Sequence, residues 1–213
     1  MDDAIWAERT RYGYAVFVHI SDVTEAVPIY SPLDIESLKR TTSIYRKDGV
    51  INMHPPLLSQ NILSLNEDGE KLTLSMRIDL DHEGGILDFD AYESTFKNLK
   101  RYDYESFVDD FMNPESRFHS DIQLMYEIAG RRKAIRKREG ANMDYNESDR
   151  QLTLGTKEEK LHSGNKAIPT SIVEEFMILA NIASAMLTRV HDYGSIYRLH
   201  SGGEERAYYH NAP

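Results

Sequence analysis

Apolar and polar residues alternate most cleanly from Leu72 to Leu80, where five apolar positions interleave with four polar ones. That is the period of a strand with one covered and one wetter face. Asp81-His82-Glu83-Gly84-Gly85 then supplies a turn, and Ile86 to Ser94 is placed to return as an antiparallel partner. Tyr14 to Ile20 alternates as well, but Tyr14, Val16, Val18 and Ile20 on one side face away from Ala15, Phe17 and His19 on the other, which predicts an interior strand covered on both faces. Helical signals fill much of the rest. Ser31 as N-cap, Pro32 at the first position and Asp34 in the first turn predict a helix to about Thr42. Lys47-Asp48-Gly49 and Pro55-Pro56 predict a loop-rich stretch behind it.

From Tyr104 the spacing of Phe107, Val108 and Phe111 predicts a helix that stops at Asn113-Pro114. The stripe Phe118, Ile122, Met125, Ile128, Ala129 and Ile135 predicts a long helix closing at Gly140, with its basic residues at the C-terminal end of the dipole. Residues 151–165 read as a surface connection with Leu152-Thr153-Leu154 as a short strand, and Thr170 or Ser171 then caps a last helix, Ser171 and Glu174 having capping-box spacing. Its body, from Ile172 to Val190, is apolar nearly all round and should be central, so that Glu174 and Asn181, two turns apart, would share one polar side.

Composition narrows the classes. The 213 residues are 40% hydrophobic, enough for one domain with a sizeable core, and the absence of Cys removes disulfides, thiol nucleophiles and Cys-based metal sites. Glu174, Glu175, Asn181 and Arg189 interrupt the longest apolar helix, so neither a membrane span nor a secretion signal is expected. A net charge of -10 argues against a broad basic nucleic-acid surface. The exception is local: Arg131-Arg132-Lys133 and Arg136-Lys137-Arg138 form a cationic cluster that is either a phosphate-facing patch or a solvated helix face.

Asp2 and Asp3 are adjacent carboxylates, a pair whose repulsion a divalent cation relieves; magnesium prefers such oxygen ligands, and two ions can activate water in phosphodiester cleavage. A solvated acidic terminus is the plainer reading. Tyr45, after a helix and beside a loop, and Tyr102, next to Lys100 and Arg101, are rings able to stack on bases, although for either one alone a packing or interface role is the plainer reading. His19 on a covered strand reads as a hydrogen-bonded core imidazole, and His54, His162, His191 and His200 lack zinc-ligand spacing.

Taken in order, several stretches resemble the catalytic (RNB) domain of the ribonuclease II and ribonuclease R family. Asp2-Asp3-Ala4-Ile5 is similar to the end of its acidic motif, and Val18-His19-Ile20-Ser21-Asp22-Val23, Thr42-Ser43-Ile44-Tyr45 and Leu63-Ser64-Leu65 follow in register. Arg138-Glu139-Gly140-Ala141, then Ile172 to Asn181, then Tyr197-Arg198-Leu199-His200 complete a set that covers nearly the whole chain. The resemblance implies an α/β fold of the α+β type, a mixed, largely antiparallel sheet with packed helices. It further implies a cytoplasmic, magnesium-dependent exoribonuclease that degrades single-stranded RNA from the 3′ end to 5′-mononucleotides. Carried over by motif, Asp2 and Asp3 hold metal and attacking water, Tyr45 and Tyr102 stack on bases, and Glu174, with Glu175 as the alternative, lies near the last nucleotides.

The resemblance also has gaps. The family motif carries two further aspartates before the one matched by Asp2, and after Arg206-Ala207-Tyr208-Tyr209-His210 it continues into a Thr-Ser-Pro-Ile-Arg-Arg block. Between His200 and Arg206 the family has a longer stretch than Ser201-Gly202-Gly203-Glu204-Glu205. The expectation is therefore an incomplete catalytic domain over 1–213 without the flanking RNA-binding barrels. A non-catalytic RNA-binding or regulatory fragment is the alternative.

Overall fold

The structure, a computed structural model, describes residues 3–46, 48–140 and 157–194. Its centre is a four-stranded antiparallel sheet in the order β1-β2-β5-β6, built from β1 (Asp3–Thr10), β2 (Gly13–Ser21), β5 (Glu70–Asp81) and β6 (Ile86–Lys97). The expected interior strand is there: Tyr14, Ala15, Val16 and Val18 of β2 are almost fully buried. The hairpin of β5 and β6 also forms where expected, longer than the alternation alone suggested.

β1 was not anticipated. It lies antiparallel to β2, with Asp3 opposite Ile20 and Thr10 opposite Gly13. Gly13 makes the turn between them close: its φ is +148°, and an added Cβ would sit 2.3 Å from the Leu80 carbonyl oxygen. Gly13→Ala is therefore expected to destabilise the fold by about 1–3 kcal/mol, the usual cost of a strained backbone position, read as a lower midpoint in urea unfolding.

Between β2 and β5 come a short helix α1 (Val23–Ala26), capped by Asp22, and α2 (Pro32–Arg40), capped by Ser31 as expected. The supposed loop beyond it contains a small hairpin, β3 (Ile44–Arg46) with β4 (Gly49–Ile51), then a π-helical turn at Leu58–Ile62. Three helices cover one face of the main sheet: α3 (Tyr104–Met112), α4 (His119–Arg138) and α5 (Lys157–Val190). Their buried residues, Phe107, Ile122, Met125, Ile128, Ile172, Phe176 and Leu179, form one core with Val16, Val18, Met76, Ile78 and Leu80 of the sheet.

Two expectations about burial are corrected. Along β5 the inward face was to be Leu72 to Leu80, yet Leu72 and Leu74 are exposed and Thr73 and Ser75 are fully buried. The reason is local covering of the opposite face. The segment holding Ser64 and Leu65 is tied to the sheet there: Ser21 Oγ donates to the Leu63 carbonyl, and Asn98 Nδ2 donates to the Leu65 carbonyl at 2.8 Å. Thr73, Ser75 and Ser94 share hydroxyl hydrogen bonds of 2.5–3.2 Å, so their burial leaves no polar group unmatched.

The second correction concerns the last helix. Thr170 and Ser171 do not cap it; α5 runs from Lys157 with Pro169 inside, because a proline costs a helix one hydrogen bond without preventing continuation. The part of the expected surface connection beyond Lys157 is thus helical, whereas Leu152-Thr153-Leu154 lies outside the described residues. Nor is α5 buried all round. Ile172, Phe176, Leu179 and Ala183 face the core, while Val173, Met186 and Val190 are exposed, as are Glu174 and Asn181. Ile168–Val190 is long and apolar enough to cross a membrane by length and composition, but that core-facing stripe is what it buries in this fold.

Ionic contacts bind the layers. Glu127 on α4 accepts hydrogen bonds from Tyr14 Oη at 2.7 Å, Arg131 Nη2 at 2.9 Å and Arg9 Nη2 at 2.5 Å, joining the helix to β2 and β1. The tyrosine hydroxyl foremost, then the arginines, hold its carboxyl down from an ordinary 4.5 to about 2. Because the folded value lies below the unfolded one, the stabilisation is complete above the ordinary value and is lost as pH falls toward 2. Acid unfolding of the wild type should accordingly show a steep loss of stability between about pH 4 and 2, and Glu127→Gln should flatten it.

Candidate functional site

A cavity of about 850 Å³ opens at the end of the sheet where β1 begins. Asp3 and Ile5 line it from the side of β1 that faces the helices, and Ala4 and Trp6 line it from the opposite side. The cavity therefore reaches round the start of this edge strand. Phe107, Phe118, Ile122, Met125 and Ile172 give it an apolar helical wall, and His19 and Phe96 contribute from the sheet. Asp3, Asp103, Asp121, Glu174, Lys97 and Lys100 provide the charges.

Three of the residues singled out in the sequence meet here. Asp3 arrives on β1, Tyr102 on the loop between β6 and α3, and Glu174 on α5. Asp2 lies outside the described residues, as does the side chain of Tyr45; the Tyr45 backbone is in β3 opposite Val50, and no described residue of that hairpin lines the cavity.

The two adjacent glutamates have different surroundings. Glu175 is only 2% exposed and makes a two-pronged contact with Arg136 of α4, at 2.5 and 3.0 Å. It is a structural tie between helices. Glu174 is half exposed, stands 3.9 Å from the same guanidinium and lines the cavity.

Tyr102 is held firmly. Its hydroxyl donates to Asp110 at 2.7 Å, and its ring meets Phe107 and Phe118 edge to face at 5.4 and 6.3 Å. The Lys100 ammonium lies 4.7 Å from the ring centre and donates to Asp110 at 2.5 Å. Burial, reinforced by the Asp110 hydrogen bond, pushes the phenol up from its ordinary value, while Lys100 and then Tyr102 hold the Asp110 carboxyl at about 2. The ring is thus a packed wall with a cation on its face.

His19 behaves as the sequence suggested: Nδ1 shares a 2.6 Å hydrogen bond with Ser75 Oγ, the ring stacks on Phe96 at 4.5 Å, and burial lowers its pKa. Asp121 and Trp6 are among the cavity residues that escaped notice. Asp121, in the first turn of α4, has a carboxyl raised by burial, and Trp6 was hidden in an unrecognised strand. The signals were available: Asp121 directly precedes the core stripe residue Ile122, and Trp6 lies three residues beyond Asp3.

Half of the cationic cluster is spent inside the fold. Arg131 pairs with Glu127, Arg136 with Glu175, and the buried Arg132 donates to the Gly84 carbonyl at 2.7 Å. Lys133, Lys137 and Arg138 remain exposed. As for a metal, no group of three or more His, Asp or Glu side chains able to hold an ion occurs among the described residues. Asp3 is an oxygen donor of the right kind, but the described residues alone do not form a metal centre.

The sequence pattern of the RNB domain matches residues 1–211. The chain belongs to the RNB domain family. Among curated RNB relatives, ribonuclease R of Thermotoga maritima is 33% identical over 207 residues, covering 93% of this chain and 29% of that protein. Ribonuclease R 1 of Lactococcus lactis is 31% identical over 209 residues, 94% of this chain and 26% of the relative. The chain thus spans between a quarter and a third of the length of these relatives. The fold agrees with RNB structures: ribonuclease R of Mycoplasma genitalium, solved with double-stranded RNA, superposes with a TM-score of 0.73 over 90% of this chain and 35% of that one, at 21% identity. The α+β reading with a largely antiparallel sheet holds, and every described strand pair is antiparallel.

Proposed function

We propose that the cavity at the start of β1 is part of the RNA-degrading site of a ribonuclease R-like exoribonuclease. The observation that carries this reading is convergence: Asp3, Tyr102 and Glu174, far apart in sequence, line one cavity. The substrate is single-stranded RNA, taken from its 3′ end and released as 5′-mononucleotides. Membership of the RNB family and likeness to proteins named ribonuclease R support the assignment.

Each group has a task it is suited to. The apolar, aromatic wall offers bases a sequence-tolerant surface and displaces water from the site. Tyr102, locked by Asp110 and two phenylalanines, loses little freedom on meeting a nucleotide. Glu174, a carboxylate lining the cavity, is chemically suited to accept a hydrogen bond from a ribose hydroxyl, the group that distinguishes RNA from DNA. Magnesium is the proposed cofactor, with Asp2 and Asp3 as ligands; when bound it supplies positive charge where phosphodiester cleavage develops negative charge.

The test is hydrolysis of an internally labelled single-stranded RNA, with magnesium or with chelator. The expected result is 5′-mononucleotides in the first sample only. An RNA-binding role without hydrolysis is the second reading. It predicts salt-sensitive binding with intact RNA in both samples.

A further inference from the structure

The cavity has a second side. On the helix-facing side the Lys100 ammonium lies 4.7 Å from the Tyr102 ring centre, and Phe107 and Phe118 brace the ring. On the other side of β1, Trp6 lines the cavity and remains 37% exposed, the largest aromatic face available there. Its position is fixed from below: it lies directly opposite Phe17 in the β1–β2 register, and Phe17 carries the Arg77 guanidinium 5.9 Å from its ring centre. Lys97, at the end of β6, lines the same cavity, is exposed, and has no carboxylate partner among the described residues. That sets it apart from Lys100, whose charge is committed to Asp110.

We propose that Trp6 and Lys97 are two contact points for one single strand in the cavity, Trp6 stacking on a base and Lys97, on the opposite edge strand of the sheet, facing a backbone phosphate further along. An open aromatic face and an uncommitted cation lining one cavity are what single-strand binding uses, stacking for grip without sequence preference and a cation for the phosphate. Trp6 lies across the start of β1 from Tyr102 and Glu174, so a strand that meets all three passes around Asp3. The inference rests on the reading of the cavity as an RNA site and adds residues that the sequence did not single out.

Trp6 is the single tryptophan of the chain, which makes the test direct. A single-stranded oligoadenylate is titrated into the full chain in the presence of chelator, so that it is not consumed. Binding is followed twice, by the anisotropy of a label on the RNA and by tryptophan fluorescence. The expected result is quenching of Trp6 with the same midpoint as the anisotropy change. Trp6→Ala should weaken binding about five- to a hundredfold, while Trp6→Phe retains most of the affinity. Lys97→Gln should lower the slope of log affinity against log salt by about 0.7, the loss of one phosphate contact on a single strand. Binding seen by anisotropy, with unchanged tryptophan emission and wild-type affinity in Trp6→Ala and Lys97→Gln, overturns these contacts but leaves the cavity assignment standing. Absence of any anisotropy change overturns both.

Discussion

Glu175→Ala is expected to destabilise the protein by about 3–5 kcal/mol, because it strands the Arg136 guanidinium between two helices without its partner. Arg136 is 17% exposed and Glu175 2%, so little water is available to replace the lost contact. In a domain of this size a loss of that magnitude lowers Tm by about 6–20 °C. The neighbouring substitution should behave oppositely. Glu174→Ala removes a half-exposed carboxylate 3.9 Å from the same arginine, and its effect on stability should stay within about 0.5 kcal/mol. Its effect should instead fall on RNA, as weaker binding or slower turnover. Thermal unfolding of the two variants side by side, with an RNA-binding measurement on each, checks the assignment; equal destabilisation by both would contradict it.

The second large effect is expected at the start of the chain. Under the proposed mechanism Asp2→Asn with Asp3→Asn should reduce mononucleotide release at least about a hundredfold, since loss of a preorganised electrostatic contribution costs rate on that scale. The carboxylate at Asp3 lies at the beginning of an edge strand, opposite Ile20, away from the Glu127 and Glu175 networks that join the layers. Stability should therefore be little changed, and RNA binding should persist. The double variant separates a chemical role from a structural one: a parallel fall in Tm and activity would speak for the latter, and unchanged turnover would remove these residues from the mechanism.

Much of this architecture is written in local pattern. β2, the hairpin of β5 and β6, and the inward stripe of α4 were legible because each repeats apolar residues at the period of its element over several turns or pleats. β1 was not, because its buried residues are the small Ala4 and Ala7, while Trp6, Glu8 and Arg9 are exposed and blur the alternation. The burial of Thr73 and Ser75 depends on a covering segment and on Ser94 some twenty residues away, contacts that no local pattern reports.

The site shows the same division. Motif resemblance singled out Asp3, Tyr102 and Glu174, and the fold places them on one cavity. Adjacent residues on a helix point about 100° apart, so the sequence could not say which of Glu174 and Glu175 met the cavity until Arg136 was positioned against one of them. Trp6 was invisible for a related reason: its exposure follows from the strand that the alternation failed to reveal.

The central claim is that this cavity receives the end of an RNA strand. It is tested most directly by photo-crosslinking a single-stranded RNA with 4-thiouridine at its 3′ end to the intact chain, then mapping the attached peptides by mass spectrometry. The account predicts attachment at the start of β1, at the loop from Phe96 to Tyr104 and around Pro169 to Glu174, reduced by an excess of unlabelled single strand. Attachment confined to the exposed Lys133, Lys137 and Arg138 end of α4, with none in those three segments, would contradict it.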